Sequence, residues 1–178
     1  ALGSYSYLLG RLNDGELDFL VSEVTDPAGG RRIVHEPLFR LRYGLVVGSR
    51  HPLAGRRNLS LARVMEYRLA YASTWRVVLE NWDETFTAAG LAPPPPPMGE
   101  ATDDFLKAML AHCDMVAVLP MIGTIKEAIE AGQLAELHVP KVEWFSRVGL
   151  VYRSDDGLSP DARLLLEETR RELATPAN

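Results

Sequence analysis

The sequence predicts an α/β protein in which buried strands alternate with amphipathic helices about half a dozen times, with mostly parallel sheets. Two observations predict it. Short, almost wholly apolar runs such as Leu17-Asp18-Phe19-Leu20-Val21 and Met115-Val116-Ala117-Val118-Leu119 suit strands covered on both faces. Between such runs, apolar residues recur at helical spacing and are bounded by capping residues and glycines.

The first helix carries Tyr5, Leu8, Leu9 and Leu12, with Ser4 placed as N-cap and Gly15 where the helix would stop. The run 17–21 is the first strand. Leu41 to Val47 is a second, followed by the turn His51-Pro52-Leu53-Ala54. Ser60 caps a short helix through Val64, and Leu69-Ala70-Tyr71-Ala72 is a further strand. Trp75, Val78, Leu79, Trp82, Phe86 and Ala89 form one stripe of a long helix that Gly90 ends. Pro93 through Pro97 form an extended, polyproline-like connector within the domain. Thr102 caps a helix carrying Phe105, Leu106, Met109 and Leu110, which leads into the strand 115–119 stopped by Pro120. Ile125, Ala128 and Ile129 mark a helix closed by Gly132, and Leu134 to Val139 return as a strand. Val148 to Arg153 is the last strand. Ser159-Pro160, an N-cap and a first-position proline, opens the final helix to about Leu173.

Composition narrows the function. Nineteen Lys and Arg against 24 Asp and Glu give a formal charge of −5, so the basic surplus that duplex DNA binding draws on is missing. One cysteine, Cys113, excludes an internal disulfide and any multi-cysteine metal site. The four histidines, His35, His51, His112 and His138, lack metal-ligand spacing, and no phosphate-binding glycine loop is present. His112-Cys113-Asp114 contains the side chains of a thiol triad, but neighbouring residues point in different directions and do not converge. No apolar run reaches the roughly 18–20 residues that span a bilayer. Ala1 to Gly10 lacks the basic start and apolar core of a signal peptide, so a cytoplasmic location is expected.

Several motifs, taken in order, carry a family resemblance. They are LNDGELDF (Leu12 to Phe19), Glu36-Pro37-Leu38 with the strand to Val47 and the HPLA turn, and Gly90-Leu91-Ala92-Pro93. Val116 to Pro120, ending in LP, and the tail Val148 to Arg153 with Leu158-Ser159-Pro160-Asp161-Ala162 complete the set. Together they resemble the effector-binding domain of LysR-type transcriptional regulators over almost the whole chain. The resemblance implies a fold like type 2 periplasmic binding proteins: two Rossmann-like α/β lobes joined by two crossover strands, with a small ligand in the cleft. The first lobe is expected at residues 1–43 plus 153–178, without the family's opening strand and helix, and the second at 44–152. The glycine-rich turn that usually precedes the LP strand reads His112-Cys113-Asp114 here.

In open parallel sheets, ligands sit beyond the carboxyl ends of strands, where helix N-termini offer free N–H groups to an anion. Three such junctions carry hydroxyls: Ser4, Ser73-Thr74 and Thr102. Each is a candidate effector contact, and capping explains Ser4 and Thr102 equally. Arg76 would add charge if it faces the ligand, and Ser22 either lines the cleft or ends its strand. Trp75 and Trp82 wall a pocket or belong to the core. The expected function is sensing of a small metabolite, a carboxylate or aromatic acid, with no cofactor, no metal and no catalysis. The resemblance implies a homodimer, or a tetramer in the full-length protein, and DNA contact only through a winged helix-turn-helix absent from this chain. The alternative is a solute-binding protein of a transport system with the same fold. An enzyme would need a convergent acid, base or nucleophile, and the sequence displays no such set.

Overall fold

The computed structural model describes residues 5–24, 33–71, 79–95, 102–154 and 158–174. The chain divides into two compact units, 1–40 with 146–178, and 41–145. Six helices and six strands are assigned among the described residues. The strands are β1 (Phe19–Glu23), β2 (Ile33–Gly48), β3 (Arg68–Ala70), β4 (Met115–Pro120), β5 (Leu134–Leu137) and β6 (Trp144–Arg153). The helices are α1 (Tyr5–Asn13), α2 (Leu61–Val64), α3 (Trp82–Ala88), α4 (Asp103–Leu110), α5 (Gly123–Glu130) and α6 (Pro160–Ala174). Strands β2 and β6 each contribute residues to both units.

In the first unit, α1 lays Leu12 against Leu20, Val24 and Val151, with Leu8, Leu9 and Leu17 around them. Gly15, at φ +78°, lets the chain turn out of α1, a conformation that a side chain disfavours. Strand β1 pairs antiparallel with β6, Phe19 opposite Tyr152 and Glu23 opposite Val148. Arg153 closes this layer by donating to the carbonyls of Leu12 and Leu17. The last helix starts where Ser159 accepts from the Ala162 amide (3.1 Å), and Arg170 on it holds Glu36 of β2 through two bonds of 2.6 and 2.7 Å.

In the second unit, residues 43–48 of β2 are buried throughout, and they run antiparallel to both β4 and β5. Strand β3 lies parallel to β4, Ala70 opposite Ala117. Helix α4 comes so near β2 that a Cβ on Gly48 would stand 2.1 Å from the Leu110 carbonyl oxygen, so glycine is what permits the contact. An aromatic cluster of Tyr71, Trp82, Phe86 and Trp144 fills one end, each at most 2% exposed.

The structure departs from the sequence reading in two ways. Of the strand registers just given, only β3–β4 is parallel. An apolar run reports burial and not direction, and Val21 of β1 is in fact 48% exposed at a sheet edge. The long helix expected from Trp75 begins, among described residues, only at Trp82; its first turn lies outside them. Asn81 sits at φ +61°, and the Glu80 amide donates to the Phe145 carbonyl (2.7 Å). That bond commits the backbone to β6, so the stripe of Leu79 and Trp82 is a core contact and not a helical repeat. No helix among the described residues is long and apolar enough to cross a membrane.

Candidate functional site

The parallel pair β3–β4 defines the end of the second unit where a ligand is most readily held, because the chain leaves both strands there. Beyond β3 comes Tyr71 and then the segment with Ser73, Thr74, Trp75 and Arg76, which lies outside the described residues, as does Ser4. Beyond β4 come Met121, Ile122 and helix α5. Two ties organise this end. The Tyr71 hydroxyl donates to the carbonyls of Pro94 (3.1 Å) and Pro95 (2.5 Å), joining the exit of β3 to the proline connector that leads towards Thr102. Lys107 of α4 donates to the Thr124 carbonyl (3.4 Å), joining α4 to the first turn of α5.

The two helix starts differ in what they offer a ligand. Thr102 caps α4: its Oγ1 accepts from the Phe105 amide (3.3 Å), and Asp103 and Asp104 fill the first turn. Those carboxylates complement the helix dipole and repel a second anion, while the Thr102 hydroxyl keeps its own proton to donate. Helix α5 has neither device. Its N-cap, Ile122, provides no side-chain acceptor, and no acidic residue lies in its first turn. Its leading N–H groups therefore remain for an incoming oxygen. No capping residue announces this terminus in the sequence; its one signal there is Pro120 ending the strand with Gly123-Thr124 following.

The other candidates resolve simply. Trp82 is core, 2% exposed, with its indole Nε1 buried and unpartnered. Ser22 donates to the Glu23 carbonyl (3.2 Å) within β1. Cys113 is exposed beside exposed His112 and Asp114. Among the described residues, no group of His, Cys, Asp and Glu could hold a metal ion. The electrostatic perturbations at Glu36, Tyr152 and His51 are structural. The Arg170 guanidinium, hydrogen-bonded to Glu36, holds that carboxyl below its ordinary range, and burial pushes the Tyr152 phenol beside it up. Burial lowers His51, whose Nδ1 accepts from the Leu53 amide (3.1 Å) in the HPLA turn.

Comparison with known proteins agrees with this architecture. The chain is 24% identical over 166 residues to the uncharacterized HTH-type transcriptional regulator YdcI of Escherichia coli (strain K12), covering 93% of this chain and 53% of that protein. It thus spans about half the length of that curated relative. In fold it is similar to HinK, a LysR family transcriptional regulator from Pseudomonas aeruginosa (TM-score 0.73, 16% identity, 99% of this chain and 60% of that one). It is likewise similar to the effector binding domain of QuiR in complex with shikimate (TM-score 0.70, 16% identity, 97% of this chain and 77% of that one). A family model described as the LysR substrate binding domain matches residues 2–174, nearly the whole sequence. The chain belongs to the LysR substrate-binding domain family.

Proposed function

We propose that this chain is the effector-binding domain of a LysR-type transcriptional regulator, sensing a small organic acid without transforming it. The observation that carries the reading is the family match over residues 2–174. The ligand class is supported by two further points: the QuiR domain is bound to shikimate, a hydroxylated carboxylate, and α5 starts with unspent N–H groups. In this reading the carboxylate meets the α5 N-terminus, and Ser4, Ser73, Thr74 and Thr102 are the proposed effector contacts. Binding changes the protein only if the ligand favours one of two arrangements of the lobes. The reading further assigns a cytoplasmic homodimer whose DNA contact comes from a domain outside this chain.

Thermal-shift screening against shikimate and a panel of small organic acids tests it. At least one acid should raise the melting temperature, and Thr124→Asp should abolish that response. The new carboxylate complements the α5 dipole, by about 0.3–1 kcal/mol, so the variant itself should melt no lower than the parent. A full ligand response in Thr124→Asp removes the α5 terminus from the site, and turnover of a bound acid overturns the sensing role. Light scattering that shows only monomer at high concentration overturns the dimer.

A further inference from the structure

A groove of about 560 Å3 opens in the second unit between the turn at Arg56 to Asn58, the end of β5 and the connector 138–143. Its volume lies in the range of small-molecule sites. Buried Leu45, Leu137 and Val139 form its floor, and charged side chains form its rim.

The rim charges do not cancel. Four cations line the groove, Arg42, Arg56, Arg57 and Lys141, against two carboxylates, Glu136 and Glu143. One of the two carboxylates, Glu136, is paired with Arg42. Arg42 bonds Glu136 through both terminal nitrogens (2.5 and 3.2 Å), and the Glu143 charge also acts on Arg42. Arg56 gives one N–H to the Pro52 carbonyl at 3.5 Å. Arg57 and Lys141 are exposed and form no ion pair among the described residues. The lining therefore carries a net charge of +2, four cations against two carboxylates, on one concave, apolar-floored feature of a chain whose formal charge is −5. Such a concavity concentrates the field and draws multivalent anions far more than isolated surface cations do. Lys141 adopts φ +65° and Asn58 φ +59°, which fix the two lips of the groove in uncommon backbone states.

We propose that this groove is a second ligand site, independent of the effector reading, which takes a small anion carrying at least two negative charges. Tricarboxylates and phosphorylated metabolites share that chemistry. A guanidinium fork at Arg57 recognises planar or tetrahedral oxyanions, and the Lys141 ammonium adds a point charge.

Isothermal titration of the full chain at constant ionic strength tests this, with citrate and inorganic pyrophosphate as separate probes and sodium chloride as control. Saturable one-to-one binding of either probe is expected, and which one binds tells carboxylate from phosphate recognition. Arg57→Ala combined with Lys141→Asn, asparagine tolerating the left-handed backbone, should raise Kd at least about tenfold. Arg56→Ala alone should weaken binding less and provides a second route if the double variant folds poorly. Thr124→Asp should leave citrate and pyrophosphate binding unchanged, which separates this site from the effector site. Heats no greater than those of matched chloride, or an unchanged Kd in both groove variants, overturn the proposal.

Discussion

The proline connector is held from outside itself, and Tyr71→Phe measures how firmly. Prolines carry no N–H, so the stretch from Pro93 cannot tie itself down through its own amide donors. What reaches it is the Tyr71 phenol, whose hydroxyl donates to Pro94 at 3.1 Å and to Pro95 at 2.5 Å. The ring itself is 1% exposed and stands 5.2 Å from the Trp82 ring, so phenylalanine keeps the ring and removes the hydroxyl. One buried hydrogen bond contributes about 0.5–1.5 kcal/mol net, and leaving acceptors without a donor raises the cost, so about 1–2 kcal/mol is expected. For a chain of 178 residues that is a fall in melting temperature of roughly 2–8 °C.

Calorimetry or a circular-dichroism melt reads the stability, and the same variant reads the site. Because the connector leads to Thr102 and Tyr71 leads to Ser73-Thr74, loosening their tie should also reduce stabilisation by an organic acid. Tyr71→Phe that melts within half a degree of the parent, in which case the connector is held by other means, refutes the reasoning.

Three further outcomes follow from the same geometry. Gly149→Ala would place a Cβ 2.0 Å from the Glu36 carbonyl oxygen and 2.8 Å from the Pro37 Cα, backbone that cannot swing aside; a loss of about 3 kcal/mol or more in urea unfolding is expected. Thr102→Ala should cost about 1 kcal/mol through the lost cap of α4, and a ligand response that survives it would leave Thr102 as a cap only. Acid should act on His51, whose folded pKa is depressed by burial: the neutral ring's contribution is full above the ordinary value of 6.5 and is lost as pH falls below it, since the proton must displace the Leu53 amide from Nδ1. His51→Asn, which keeps an acceptor near that position, should flatten the stability profile just below pH 6.5; an unchanged slope assigns it to another group.

How much of this was legible beforehand depends on the range of the signal. Ser60, Thr102 and Ser159 were readable as caps because a cap is decided within four residues, and each accepts the amide three residues on. The ends of β2 and β6 were not readable. Both strands extend beyond their most apolar stretches, β2 back to Ile33 and β6 back to Trp144, and the pairing of those polar-edged ends depends on residues more than a hundred positions away. Trp82 shows the same limit from the other side. Its spacing from Phe86 is helical and correctly so, while its spacing from Leu79 is only the accident of two core contacts separated by a left-handed Asn81.

The candidate site was half legible for a related reason. Sequence motifs advertise groups that are already satisfied, since a capping residue is conspicuous because it fills the helix start. The helix best able to receive an anion, α5, is inconspicuous because Ile122 supplies no cap and no carboxylate precedes Ile125. The same logic governs the groove at Arg57 and Lys141. Its charge imbalance appears only once the fold gathers Arg42, Arg56, Arg57 and Lys141 around one groove with Glu136 and Glu143, Arg42 and Glu136 pairing across 94 positions. For a domain of this family, then, the informative residues are those whose hydrogen-bonding capacity the fold leaves unspent, and they emerge only when every local partner has been assigned.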